Sequence, residues 1–318
     1  MYSFVGLAGV LGVVFYPRLN TLYTHTAAFM PLGDAVYRLQ KTTTDKPLPY
    51  SFCVLHENER TGTSAIKQFM REIGGQVWEL KSQGDRNVSF FIKKKKYKFD
   101  PNRIFTPQGV ANTLVMLSRT APTAEAHSIV NGFAQRITDS LFAPQAKMTN
   151  NTIVSVHNNT EGAYSSLSHL PDSTNALGVR DIYINTARDP DDFFYVTRRF
   201  DFNYLKNQGF NVILQDNKGI RNDGSLSVYS GKRRARYINI EAQHFHYEEQ
   251  LQMLYAVHEM ISKTKAVVAP PLAMLKPAAA KKDSVTNMDL KNPKDTVKTT
   301  AKVIETPTLP DEIQEDLP

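Results

Sequence analysis

The sequence predicts an α/β protein: a three-layer α/β/α domain with a mainly parallel or mixed central sheet. Three observations carry this. Short runs rich in Val, Ile, Phe and Tyr alternate with longer stretches whose apolar residues recur at helical spacing. Gly and Pro punctuate the changes between them. His56, His157 and Glu241 fall at or just past the ends of the apolar runs, where open α/β sheets place their ligands.

In chain order, residues 50–55 read as a strand. Residues 64–73 read as a helix, with Ile66, Phe69, Met70 and Ile73 on one face and Gly74-Gly75 as its stop. Residues 77–80 form a short strand, and 87–99 hold strand material with the lysine run at the far end. Residues 106–118 and 123–141 read as helices, 152–156 and 181–184 as strands. Residues 193–208 read as a helix and 210–214 as a strand. A strand over 237–241 and a helix over 247–262 close the pattern. The run Lys93-Lys94-Lys95-Lys96 fits a solvated hairpin or a protected edge; contact with an anionic cell envelope is the sharper reading.

The chain divides into three parts. Residues 1–46 read as an apolar N-terminal segment and linker. Within it, residues 3–16 carry no charge and fit a signal-peptide core or a membrane anchor, with a buried element of the domain as the plainer alternative. On the first view the protein is periplasmic, secreted or membrane-anchored and associates with a membrane or cell envelope; on the second it is cytoplasmic. Residues 47–265 read as the folded domain. Residues 266–318, rich in Pro, Ala, Lys and Thr, read as a disordered tail.

Composition narrows the function. The 41% hydrophobic and 22% charged residues of the 318 are those of a globular protein. A net charge of +7 is modest for this length, and no aromatic-basic surface motif accompanies it, so no nucleic-acid partner is expected. Cys53 is the only cysteine, which excludes an intrachain disulfide and a four-cysteine zinc site.

The chemistry concentrates in His56-Glu57-Asn58-Glu59-Arg60-Thr61-Gly62, which follows the strand at 50–55. His56 and Glu59, three apart where a strand opens into a loop, can reach one metal ion. His157 offers a second imidazole at another strand end. Two His and one Glu suit zinc and leave a coordination position for water, as in a catalytic site. Taken singly, each has a plainer reading. His56 would be a loop histidine, Glu59 an acid favoured by the next helix dipole, Arg103 a surface cation and Glu241 an ordinary strand-end acid. His244 and His246 have a spacing that could bind metal, but rim positions or a helix start account for them more simply.

Four segments in order resemble the succinylglutamate desuccinylase/aspartoacylase group of the zinc carboxypeptidase (M14-like) superfamily. The first is 56–62. The others are Phe99-Asp100-Pro101-Asn102-Arg103-Ile104-Phe105, Val156-His157-Asn158-Asn159-Thr160 and Ile238-Asn239-Ile240-Glu241. The resemblance spans roughly residues 50–243 and implies a zinc-peptidase-like domain with one Zn2+ per chain, held by His56, Glu59 and His157. Glu241 would be the general base that deprotonates water and passes the proton to the leaving nitrogen. Asn102 and Arg103 would hold a substrate carboxylate, for which the planar guanidinium is suited. Arg86 is a candidate for the arginine that stabilises the oxyanion, with Lys94 or Lys95 as alternatives. Three departures stand out: Glu57 where the family has Gly, Pro101 where it has Leu, and Val156 where it has Asp.

The expected activity is hydrolysis of an amide or peptide bond in a small-molecule or peptide substrate bearing a carboxylate. A peptidoglycan amidase of the other zinc-amidase fold is a second enzymatic reading, disfavoured by the tight His56–Glu59 spacing. A membrane-tethered binding protein with a degenerate metal site is the non-enzymatic one.

Overall fold

A computed structural model describes residues 22–142, 152–173 and 175–263. The apolar run at 3–16 and the segment 266–318 lie outside the described residues.

The strands are β1 (Tyr23–Leu32), β2 (Ala35–Thr44), β3 (Ser51–Val54), β4 (Gln76–Lys81), β5 (Val88–Ile92), β6 (Lys95–Phe99), β7 (Thr152–Asn159), β8 (Val179–Tyr183), β9 (Phe193–Val196), β10 (Asn211–Gln215) and β11 (Arg236–Gln243). The helices are α1 (Arg60–Glu72), α2 (Pro107–Leu117), α3 (Ala124–Phe142), α4 (Arg199–Asn207), α5 (Leu226–Lys232) and α6 (Tyr247–Lys263). Nine strands form one mixed sheet in the order β1-β2-β4-β3-β7-β11-β9-β10-β8, and β5 and β6 form a separate hairpin. The centre is parallel, β4 to β3 to β7 to β11; β2 and β1 add antiparallel on one flank, and on the other β9 joins β11 antiparallel, β10 joins β9 parallel and β8 joins β10 antiparallel.

Two cores cover the two faces, so the α/β/α layering holds. On one face α2, α3 and the β5–β6 hairpin pack Val110, Leu114, Val130, Phe133, Phe90 and Phe99 against Cys53, Leu80 and Tyr237. On the other, α1, α4 and α6 pack Phe69, Phe202, Leu254 and Val257 against Phe52, Val154, Val212 and Ile238. Central strands buried on both faces read as continuous apolar runs. That is why β3, β7, β10 and β11 were legible.

The structure corrects the reading in three places. Residues 23–44 are not linker: β1 and β2 extend the sheet through β4. Only Met30, Leu32, Tyr37 and Leu39 carry the hairpin's buried apolar side chains, all near its turn, so alternation is faint in the sequence. Residues 193–208 are not one helix: Phe193–Val196 is a strand and the helix is Arg199–Asn207. A short apolar run buried on both faces has no period to tell strand from helix. The short helix α5 was not read at all. The lysine run is a hairpin, with Lys93 and Lys94 at positive φ in its turn and Lys95 and Lys96 exposed on β6.

The layout converges three chemistry-bearing segments. β7 and β11 are adjacent and parallel with His157 opposite Glu241, near the carboxyl ends of both strands. β3 lies on the other side of β7, and His56 follows its end by two residues. α1 sits tightly on β7: a Cβ at Gly62 would meet Val156 Cγ1 at 2.8 Å. The Gly62 amide also donates to Asn158 Oδ1 at 2.9 Å.

Candidate metal centre

His56, Glu59 and His157 each present a ligand atom within 4.8 Å of the others, and all three are buried. His56 Nδ1 lies 2.9 Å from Glu59 Oε1, and His157 Nδ1 lies 2.9 Å from Glu59 Oε2. The two Nδ1 atoms are 3.3 Å apart. A tetrahedral zinc with bonds of about 2.0–2.1 Å separates its ligand atoms by about 3.3–3.4 Å. The separation of the two nitrogens is of that size, while the two nitrogen–oxygen separations of 2.9 Å are hydrogen-bond distances.

The outer ring nitrogens explain why the inner ones face inward. His56 Nε2 donates to Asp100 Oδ1 at 2.8 Å. His157 Nε2 lies 3.0 Å from Ser155 Oγ, whose hydroxyl is within 3.5 Å of the Cys53 carbonyl. If that hydroxyl donates to the carbonyl, its oxygen accepts from His157. Each ring then carries its proton on Nε2 and leaves a lone pair on Nδ1. Such outer partners commonly orient metal-binding histidines. Gln250 Nε2 donates to the His157 carbonyl at 2.8 Å and fixes the strand from the α6 side.

The charges packed around Glu59 and His56 shift both groups. Burial pushes the Glu59 carboxyl up, but the charges of His157 and His56 outweigh it and hold the group well below the usual carboxylate range. Burial opposes charge on His56 too, yet the Glu59 carboxylate and the hydrogen bond to Asp100 raise it to about 9. Asp100 is held low mainly by its bond to His56, against burial. The buried Glu59 carboxylate and the partly buried Asp100 carboxylate therefore face two imidazoles, with the Arg86 guanidinium beside both. The donor set, two nitrogens and a carboxylate, suits zinc.

A cleft of about 770 Å³ opens over this cluster. His56, Glu59, His157, Glu241, Arg86, Asn102 and Arg103 all line it. Glu241 is 7% exposed, and its Oε1 accepts from Asn239 Nδ2 at 2.9 Å. Burial raises its pKa. Arg86 donates to Glu59 Oε1 at 2.6 Å and lies 4.0 Å from Asp100 Oδ2. Arg103 faces Asp223 at 3.5 Å, and Asn102 Oδ1 accepts from the Leu226 amide at 3.1 Å. Lys94 and Lys95 are absent from the cleft lining, whereas Arg86 is present. His246 pairs instead with Asp192 at 2.9 Å, and neither His244 nor His246 joins a metal-type group among the described residues.

The departures from the resembled motifs acquire physical roles. The Glu57 carboxylate accepts from the amides of Ser82 at 2.6 Å and Gly84 at 2.9 Å, pinning the loop that carries Arg86. Pro101 opens the short 3-10 turn over Pro101–Arg103, capped by Asp100. Ser155, not a residue at position 156, supports His157.

Sequence reasoning passed over Asp100, Ser155, Asn239 and Arg221. Asp100 stood inside a quoted motif, and Ser155 and Asn239 each lie two residues before a predicted site residue, on the same strand face. That period-2 offset was the available signal. Arg221 lines the cleft from a loop that carries no motif.

No protein-family model matches the chain, and no curated protein sequence matches it. Solved structures do. The chain is similar to apo Cell Shape Determinant protein Csd4 from Helicobacter pylori at 13% identity and TM-score 0.40, over 78% of this chain and 55% of that one. It is similar to a succinylglutamate desuccinylase/aspartoacylase from Rhodobacter sphaeroides at 11% identity and TM-score 0.40, over 76% and 66%. An aspartoacylase family protein from Mesorhizobium loti matches at 11% identity and TM-score 0.37, over 74% and 67%. The chain thus spans about half the length of Csd4.

Proposed function

We propose that this protein is a zinc-dependent hydrolase that cleaves an amide or peptide bond next to a carboxylate-bearing group. One observation carries the reading: the inner nitrogens of His56 and His157 converge with both Glu59 oxygens, while the outer nitrogens have partners of their own. A zinc ion held there would lower the pKa of water towards about 7 and polarise the scissile carbonyl.

The remaining chemistry belongs to the chain. Glu241 takes the proton of the attacking water and returns it to the leaving nitrogen. Its burial favours a raised pKa, which suits a group that must both accept and release a proton near neutrality. The Asn239 amide holds one Glu241 oxygen and so fixes which oxygen takes the proton. Arg86, kept beside Glu59 by an ion pair and by the Glu57-pinned loop, supplies positive charge where the carbonyl oxygen becomes negative. Arg103 grips the substrate carboxylate in place of Asp223, and the Asn102 side-chain amide nitrogen adds a donor beside it.

Metal analysis with a substrate screen tests this reading. The purified chain should contain one zinc, and the zinc-loaded protein should hydrolyse some N-acyl amino acids or peptides with a free carboxylate. Esterified or amidated analogues of the same compounds should react poorly. Absence of metal together with absence of hydrolysis would leave a binding module.

A further inference from the structure

The run Lys93-Lys94-Lys95-Lys96 takes no part in the chemistry above, and its backbone is not what its residues favour. Ile92 pairs with Lys95, so Lys93 and Lys94 alone make the turn between β5 and β6. Both have positive φ, 48° and 68°. A two-residue hairpin turn with positive φ at both positions favours Asn-Gly, because longer side chains crowd the backbone there. Two lysines therefore hold a conformation that costs stability, and the turn gains nothing from them. Edge protection accounts for Lys95 and Lys96, which lie in the ladder. It does not account for Lys93 and Lys94, which guard no edge.

All four lysines are exposed. Among the described residues the lysines in ion pairs are Lys81 and Lys263, not these. Asp34 reaches the hairpin, but its carboxylate accepts from the Phe91 amide at 2.9 Å and its own amide donates to the Phe91 carbonyl at 3.2 Å. Those bonds brace the hairpin against the β1–β2 turn, and buried Val88, Phe90, Tyr97 and Phe99 anchor its inner face. Beside the charges stand Phe91, 40% exposed and paired across the hairpin with Lys96, and Val36, 60% exposed and two residues from Asp34.

Four uncompensated cations select an anionic partner. Their placement selects among anions. They gather at the tip of a hairpin instead of lining a groove that would track a nucleic-acid backbone. Exposed apolar side chains next to lysines suit the boundary between lipid headgroups and acyl chains. We propose that the β5–β6 tip docks the protein on an anionic phospholipid surface. Arg86 lies two residues before β5 and Asp100 one residue after β6, and both line the cleft. Five residues of strand, at about 3.4 Å each, span roughly 17 Å from that base to the tip. Docking therefore brings the cleft to a substrate carried at that surface.

Co-sedimentation of the full chain with vesicles tests the docking. Phosphatidylcholine vesicles with about 30% phosphatidylglycerol present the anionic surface. Vesicles of phosphatidylcholine alone measure charge-independent partition, whatever part of the chain causes it, and the difference is the quantity read. The chain should bind the anionic vesicles more tightly, and the difference should shrink as salt rises from about 0.1 M to about 0.5 M. Lys93→Asn/Lys94→Gly gives the turn the residues it favours, so the melting temperature should rise by a few degrees. Anionic binding should nevertheless fall roughly thirtyfold, since each lysine at such a surface contributes about a factor of five. Lys232→Gln/Arg233→Gln removes two exposed cations elsewhere and should leave binding unchanged. Equal binding to both kinds of vesicle would overturn the inference. So would equal loss in the two variants, which would make the attraction one of net charge. Retention on single-stranded DNA without retention on anionic vesicles would give the lysines a different partner and refute the docking. A stabilised Lys93→Asn/Lys94→Gly protein that binds as before would refute it as well.

Discussion

Asp100→Asn isolates the charge behind His56. Asp100 Oδ1 accepts two hydrogen bonds, from His56 Nε2 at 2.8 Å and from the Asn102 amide at 2.7 Å. An asparagine there keeps an oxygen at the same place, so both bonds persist as neutral ones. A hydrogen bond to a charged group contributes about 1.5–3 kcal/mol and a neutral one about 0.5–1.5. The difference, roughly 1–1.5 kcal/mol, falls on the basicity of His56 Nδ1 and lowers zinc affinity roughly tenfold. Partners of metal-bound histidines commonly carry about 10- to 100-fold, so the value sits at the modest end, as a retained oxygen should. The cap on the Pro101–Arg103 turn is also weakened, which costs at most about 1 kcal/mol and a few degrees of melting temperature. Competition against a chelator of known affinity measures the first effect, and thermal unfolding of metal-free protein the second. Unchanged zinc affinity in a folded Asp100→Asn protein would refute the orienting role. Zinc loss matched by general unfolding would make Asp100 a cap and nothing more.

Four further outcomes follow from the same geometry. Glu241→Gln should lower kcat by about 10²- to 10⁴-fold with zinc retained, since the amide cannot take a proton; normal turnover with a lowered melting temperature would make Glu241 a structural acid. Arg103→Lys should raise KM chiefly for substrates with a free carboxylate, and an equal loss on amidated analogues would remove Arg103 from carboxylate reading. His56 is raised to about 9, so at pH 7 the metal-free ring is protonated and zinc must displace a proton. Apparent affinity should therefore rise about tenfold per pH unit below about 9, and calorimetry in buffers of different ionisation enthalpy should report release of one proton at pH 7. A chain beginning at Thr43 should aggregate. It would lose buried Met30, Leu32, Tyr37 and Leu39, together roughly 6–12 kcal/mol and comparable to a whole domain's stability.

How much was legible in the sequence depends on where each interaction lies along the chain. His56 and Glu59 are three residues apart, and their meeting is a local fact that spacing alone carries. His157 and Glu241 came from strand-end position, a rule of sheet architecture, and β7 and β11 do place them opposite each other. The supporting groups obey a different logic. The Asp100–His56 bond joins residues 44 apart, and the Thr106–Asn222 bond that fastens the loop behind Arg103 joins residues 116 apart. No spacing rule reaches such pairs, because they exist only once the sheet has brought the loops together.

The edges of the sheet failed for a related reason. Periodicity reports apolar burial, and β1 and β2 bury apolar side chains only near their shared turn, Thr42 and Thr44 further along β2 being polar. A strand held by backbone hydrogen bonds, with threonines and alanines on its faces, leaves no apolar signature to read. Ten uncharged residues were read as linker because nothing in them pointed to a core.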